Sequence, residues 1–270
     1  MAKLLGKVAI VTGASSGIGR ATAVLFAENG ASLALAARNV KSLEETKQMA
    51  IAAGGKAENI QLIGADVTQV ADTKRIVEET IKKFGRLDIL VNNAGAASMA
   101  GVPDSHFMRP LDVYDYVMNL NSRSLVALCQ EAIPELKKTK GNIVNVSSVG
   151  SFRPIPEFTY YQMAKSAVDQ LNRNLAVALA ADGIRVNNVN PGFVKSNFAA
   201  NTGASAEAVA AAEELWVKPR VPMKRGGEPR EIATTIMFLA SEDASYITGQ
   251  LIVIDGGSSI NVPAVPQPNK

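Results

Sequence analysis

Thr12-Gly13-Ala14-Ser15-Ser16-Gly17-Ile18-Gly19 stands between an apolar run (7–12) and an amphipathic segment (17–29). Its three glycines fall where a strand would turn into a helix. A residue without Cβ lets the backbone come close to a pyrophosphate, and the first turn of a helix offers free N–H groups and a positive dipole end. Glycine enrichment alone signals only a turn. After a buried strand and ahead of a helix, at the start of a β–α–β unit, it reads as a dinucleotide-binding turn contacted through Gly13, Ser15, Ser16, Gly17, Ile18 and Gly19. The spacing is Gly-x3-Gly-x-Gly, and no P-loop lysine follows, which argues against nucleoside triphosphate hydrolysis.

The same alternation continues through the chain. Short apolar runs at 7–12, 32–37, 59–64, 87–92, 141–147, 184–190 and 251–255 are separated by helix-length segments at 17–29, 41–53, 70–84, 111–138, 158–182 and 229–241. Mostly unbroken apolar strands alternating with helices predict an α/β fold with a parallel sheet covered on both faces. The expectation is a single-domain Rossmann fold over 1–260, doubly wound around seven parallel strands. A long insert at about 193–227 has the length of a lid or binding loop. Residues 261–270, with three prolines, read as an irregular tail.

Composition narrows the function classes. The 270 residues are 47% hydrophobic and 20% charged, with a net charge of +3, too small to argue for nucleic acid or an anionic membrane as partner. One cysteine, Cys129, and one histidine, His106, exclude an intramolecular disulfide and a Cys- or His-based metal cluster, so no metal is expected. No apolar stretch is long enough to span a bilayer, and the N-terminus has no secretion-type core. A cytoplasmic protein acting on a small molecule is expected.

Two further positions carry chemistry. The second strand ends in Ala37-Arg38-Asn39, where a carboxylate would select a free ribose 2′-hydroxyl. Without that acid, and with Arg38 able to pair with a 2′-phosphate, the site favours NADP(H). Tyr161 and Lys165 sit four residues apart and share a helix face. An ammonium held beside a phenol favours the phenolate, so Lys165 is expected to draw the Tyr161 pKa down. In isolation such a pair is ordinarily just solvated.

With Thr12-Gly-x3-Gly-x-Gly19, Asn92-Asn93-Ala94-Gly95, Ser148, Tyr161-x3-Lys165 and Pro191-Gly192 in this order, the chain resembles the short-chain dehydrogenase/reductase family over about residues 4–260. The resemblance implies that Tyr161 is the catalytic acid or base, that Lys165 lowers its pKa and binds the nicotinamide ribose, and that Ser148 holds the substrate oxygen. Asn121 is implied as the fourth catalytic residue, preferred to Asn119. Tyr160 has Ala164 where the lysine should be, and Ser147 lacks the thirteen-residue spacing to Tyr161. Asn93, Ala94, Gly95, Asp66 and Val67 are implied on the adenine side, Asn39 beside Arg38, and Pro191, Gly192, Val194 and Ser196 around the nicotinamide.

The expected reaction is therefore NADPH-dependent reduction of a hydrophobic ketone, cyclic ketones among the candidates, or the reverse oxidation of a secondary alcohol. Ser148, Phe152, Ile155, Phe193 and Trp216 are the candidate substrate contacts, within a wider apolar set that includes Phe198. Arg153 and Lys195 keep open a 3-oxoacyl thioester as an anionic alternative. A non-catalytic NADP-binding sensor is the rival of another class. A hydrolase using Ser148 and His106 is disfavoured, because no Gly-x-Ser-x-Gly elbow is present. Apolar residues on more than one face of 111–138 and 158–182 (Leu125, Leu128, Ile133, Val168, Leu171, Leu175, Leu179), together with the family's habit, imply a homotetramer built as a dimer of dimers.

Overall fold

A computed structural model describes residues 2–98, 109–196, 198, 211 and 213–261. Seven strands form one sheet: β1 (Val8–Thr12), β2 (Ser32–Ala37), β3 (Ile60–Gly64), β4 (Ile89–Asn92), β5 (Asn142–Val146), β6 (Arg185–Pro191) and β7 (Leu251–Ile254). Their order is β3-β2-β1-β4-β5-β6-β7, and every neighbouring pair is parallel. Chain order reverses between β1 and β4. At such a switch point the connections leave in opposite directions, and a crevice opens beyond the carboxyl ends of the strands.

Side-chain alternation explains why both sheet faces are covered. In β2, Leu33 and Leu35 join one core cluster with Ala9, Val11, Phe26 and Ile236, whereas Ala34 and Ala36 join the other with Ile10, Ile76, Leu90 and Leu128. The first cluster lies under α1 (Gly17–Glu28), α2 (Val40–Ala52) and α7 (Pro229–Ala240). The second lies under α3 (Val70–Phe84), α5 (Ser124–Thr139) and α6 (Thr159–Leu179). Each fully buried Leu, Ile or Phe contributes roughly 1.5–3 kcal/mol of transfer free energy, so the two layers hold the sheet rigid beneath the crevice.

The helix expected over 111–138 is interrupted. Helix α4 (Leu111–Met118) passes into a π-helical turn (Asn119–Arg123) before α5 begins. The Asn121 side-chain amide donates to Val117 O at 2.9 Å, the carbonyl that a regular helix would offer to the Asn121 backbone N–H. That competition widens the turn locally.

The supposed surplus apolar stripe is also different. Leu125, Leu128, Val168 and Leu179 are buried within the subunit, and Ile133 and Leu175 pack against its core, because both helices lie directly on the sheet. The exposed large apolar side chains on these segments are instead Leu111, Val126, Met163 and Val177. No helix among the described residues is long and apolar enough to cross a membrane. A parallel bridge between Val194 and Gly227 closes the base of the long insert. Residues 197, 199–210 and 212 of the insert, His106 with its loop and the tail beyond Asn261 lie outside the described residues.

Candidate active site

The crevice has a backbone-built half and a side-chain-built half. The first is the turn between β1 and α1. Gly13 has φ +63, a left-handed conformation, and a Cβ there would lie 2.8 Å from Asn93 Nδ2. At Gly19 an added Cβ would meet Gly13 O at 2.3 Å and Asn93 Nδ2 at 2.5 Å. The turn is braced from below. Asn93 Nδ2 donates to Thr12 O at 2.8 Å and Gly13 O at 3.2 Å, while Thr12 Oγ1 accepts from the N–H groups of Asn93 and Ala94 at 3.0 and 3.1 Å. Arg20 ties Ser15 O to Thr46 and Glu45 on α2. The Asn93 side-chain amide thus braces the turn.

Helix α1 begins with no side-chain cap on Ser16 and no acid in its first turn, so its leading N–H groups are left for an anion. A dinucleotide pyrophosphate fits this cradle. At the end of β2, Arg38 is exposed and makes no ion pair among the described residues, and Asn39 accepts from Ser42 N at 3.0 Å as the cap of α2. Asp66 accepts from Thr68 N and Oγ1 at 3.0 and 2.8 Å, beside the buried Val67.

The second half is assembled where β5 runs into α6. Ser148 is extended and caps a 3-10 turn (Val149–Ser151), its Oγ accepting from Gly150 N at 3.0 Å. The Ser148 hydroxyl also stands close enough to the Tyr161 phenol to favour its ionised form. Lys165 is 3% exposed, its Nζ donating to Val146 O at 2.8 Å and lying 5.5 Å from the Tyr161 ring centroid. Its other two donors have no partner among the described residues, which suits ribose hydroxyls. Asn121 is fully buried, donating to Ala96 O at 2.8 Å and accepting from Ala96 N at 3.2 Å. A Cβ on Gly95 would stand 2.6 Å from Asn121 Oδ1 and 3.5 Å from Lys165 Nζ, so all three meet at one point.

Tyr160 and Ser147 prove structural. The Tyr160 hydroxyl donates to Arg109 O at 2.9 Å, and Ser147 Oγ donates to Lys165 O at 3.3 Å. Asn119 pairs outward with Arg123.

One electrostatic expectation is reversed. The phenol of Tyr161 is pushed up to about 12, chiefly by burial, with the Ser148 hydroxyl opposing. Lys165 is pushed down to about 8, again chiefly by burial, with the Asp169 charge opposing. The ammonium bonds to a carbonyl, and desolvation of the phenolate outweighs the help that a cation near the ring can give.

The segment after β6 reaches over both halves. Gly192 N donates to Ile254 O at 3.0 Å, and Val194 packs on the core. A Cβ on Gly17 would come within 3.1 Å of Ser196 Cβ, which places Ser196 beside the glycine turn. Phe198, two residues on, sets its ring edge-on to Tyr161, with centroids 5.6 Å apart.

The other candidate contacts scatter. Phe193 packs on Gly226 at the base of the insert, and Ile155 is half-buried. Phe152 lies exposed in a groove of about 480 Å³ with Arg153, Pro154, Gln162 and Met163, a lining that includes none of Ser148, Tyr161 and Lys165. The side chain of Trp216 lies outside the described residues. Lys195 is held by Glu213 at 3.4 Å and Glu228 at 3.2 Å, so it offers no free cation to an anionic substrate.

Known proteins resemble this one along nearly its whole length. A family model described as enoyl-(acyl carrier protein) reductase matches residues 13–259. The 3-oxoacyl-(acyl-carrier-protein) reductase FabG of Thermotoga maritima is 37% identical, the match covering 94% of this chain and 98% of that one. A short-chain dehydrogenase/reductase of unknown function from Caenorhabditis elegans, solved with cofactor, superposes with a TM-score of 0.93 at 38% identity, covering 97% and 98% of the two chains. The glucose dehydrogenase of Caenorhabditis elegans in its apo form is 44% identical with a TM-score of 0.81, covering 96% and 100%.

Proposed function

This chain belongs to the short-chain dehydrogenase/reductase family of NAD(P)-dependent oxidoreductases acting between C=O and CH–OH, and from that premise we propose that it is an NADPH-dependent reductase of hydrophobic, cyclic ketones. The observation that carries the reading is the Ser148–Tyr161 hydroxyl pair, set beside the buried Lys165 and under the Phe198 ring. A phenol that burial pushes up keeps its proton at neutral pH, the form that protonates a carbonyl oxygen. Tyr161 gives that proton to the substrate oxygen while the Ser148 hydroxyl holds the same oxygen as charge develops on it. Val146 O holds the Lys165 ammonium, and a Cβ on Gly95 would stand 3.5 Å from it.

When bound, the nicotinamide supplies the hydride. The residues to hold the cofactor are the glycine turn, the Asp66–Val67 and Ala94–Gly95 segments, Lys165, and the Pro191-to-Ser196 strand end. Arg38, exposed where an NAD-selecting acid would stand and without an ion pair among the described residues, supports NADP(H). Phe198 against Tyr161 supports an apolar ring next to the reacting carbonyl. Val126, Met163 and Val177, exposed on α5 and α6, support the homotetramer, and the protein is proposed to work in the cytoplasm.

A second reading, a 3-oxoacyl-thioester reductase, is favoured by the FabG relative and by Arg153, while the double pairing of Lys195 weighs against it. NADPH consumption should be followed across cyclic ketones, linear ketones and acyl thioesters, with NADH in parallel. Turnover of cyclic ketones at least tenfold above thioesters is expected. A reversed order selects the second reading, and binding of NADPH without turnover of any carbonyl selects a sensor.

A further inference from the structure

The crevice floor holds a buried carboxylate that the proton chemistry described above does not use. Asp169 lies one turn beyond Lys165 on α6 and is 5% exposed. Its partners are amides: Asn188 Nδ2 donates to Oδ1 at 2.9 Å, and Asn190 Nδ2 approaches Oδ1 at 3.2 Å and Oδ2 at 3.0 Å. Among the described residues, no basic side chain comes within ion-pair distance of it. Lys165 is the mirror case, a buried ammonium with one carbonyl bond and no carboxylate in contact among those residues. Isolated buried charges are costly. Two of opposite sign, four residues apart on one helix face, offset each other.

The neighbourhood leaves few other candidates. Among the described residues, Tyr161 is the other titratable side chain facing Lys165. The end of β4 presents Gly95, the π turn presents Asn121, and β5 and its exit present Val146 O and Ser148. Strand β6 presents Asn188 and Asn190, and the segment beyond it presents the Phe198 ring.

The amides that hold Asp169 belong to a longer chain of bonds. Asn92 Nδ2 donates to Asn145 Oδ1 at 2.9 Å, and Asn145 Nδ2 donates to Asn188 Oδ1 at 2.9 Å. These three residues are level in the registers of β4, β5 and β6, so one amide ladder crosses the sheet and ends on the carboxylate. Asn190 additionally lies 3.1 Å from Ser148 O and 3.0 Å from Ser151 Oγ. One amide therefore joins Asp169 to the segment that carries Ser148, while Asp169 shares its helix with Tyr161 and Lys165.

We infer that Asp169 is a positioning residue: it is the counter-charge that keeps Lys165 an ammonium and, through Asn190, the tie that keeps Ser148 in register with α6. The inference rests on the proposed reading of the Tyr161–Lys165 site. The direction of the Lys165 shift agrees with it, since burial lowers that pKa and the Asp169 charge alone opposes the fall.

The test uses the full-length protein without cofactor, with 15N-labelled lysine side chains titrated by NMR and Lys165→Met identifying the resonance. In Asp169→Asn the Lys165 midpoint should fall by about one pH unit or more. It should stay near its wild-type value in Asp169→Glu and in Asn190→Ser. In NADPH-driven turnover, Asp169→Asn should move the alkaline limb down by the same interval. Asn190→Ser should lower kcat severalfold with the limb unmoved. An unmoved Lys165 midpoint in Asp169→Asn overturns the inference, whatever the activity. A displaced midpoint in a protein that reduces no carbonyl upholds the counter-charge and overturns the functional reading instead. If Asp169→Asn does not fold, Asp169→Ser, which keeps an acceptor, supplies the same comparison.

Discussion

The glycine turn and the Tyr161–Lys165 helix face each other across one crevice and are specified in opposite ways. The turn is defined by atoms that are missing, since a Cβ at Gly19 would stand 2.3 Å from Gly13 O. The helix is defined by groups that burial makes expensive, a phenol pushed up to about 12 and an ammonium pushed down to about 8. The backbone-built half should therefore tolerate changes of charge and resist added volume. The side-chain-built half should tolerate small changes of shape and resist loss of a charge or a proton.

The largest effect should come from the second half. Tyr161→Phe removes one oxygen and little volume, and turnover should fall by roughly 10²–10⁴, with NADPH binding measured by fluorescence unchanged. Retained activity would break the contrast at once. A pH series on stability comes next. Lys165 is charged in both folded and unfolded chains below about 8, and neutral in both above its ordinary value of 10.5. Between these the unfolded chain binds a proton that the folded chain has released, so stability should rise with pH, by roughly 3 kcal/mol at most. Tyr161 also acts from about pH 10, where the folded chain keeps a proton that the unfolded chain loses, so its contribution falls as pH rises. Cys129, pushed up to about 12 by burial, opposes from about pH 9 in the same sense as Tyr161. Denaturant midpoints between pH 7.5 and 9.5 should therefore climb in the wild type and hold and then fall in Lys165→Met.

The first half should respond to volume. Gly19→Ala should cost about 1–3 kcal/mol in stability and weaken NADPH binding, both readable from thermal unfolding with and without cofactor. Unchanged stability in the Gly19→Ala variant would mean that the turn yields, and that Asn93 does not clamp it as its bonds to Thr12 and Gly13 imply. The smallest expected effect is the charge change at its rim. Arg38→Asp, alone or with Ala37→Asp, should shift the NADPH-to-NADH preference by about tenfold, the weight of one charge-assisted bond, and leave stability untouched.

The strands and the turn were legible in the sequence because unbroken apolar runs and clustered glycines are local signals. The π turn was not. It arises from the Asn121 amide taking Val117 O and reaching Ala96 O, a contact between segments 25 residues apart. Asn145, Asn188 and Asn190 did leave a trace, as polar residues inside otherwise apolar strands, but their partners depend on register. The shift of Tyr161 was misjudged from spacing alone. Helical periodicity brings Lys165 near the ring, yet it says nothing of how dry the place is or that Val146 O takes the ammonium. Phe198 stood among many apolar residues until the chain after β6 laid it on Tyr161.

The sequence by itself thus determined the α/β architecture and the glycine turn, which rest on short-range pattern and residue type, and its family motifs singled out Ser148, Tyr161, Lys165 and Asn121 as candidates. Only the tertiary structure decided which of them touch, which amides carry Asp169, which apolar stripes the core consumes, and in which direction each buried group titrates. Those outcomes depend on desolvation and on strand register, properties of the packed whole that no local stretch of chain contains.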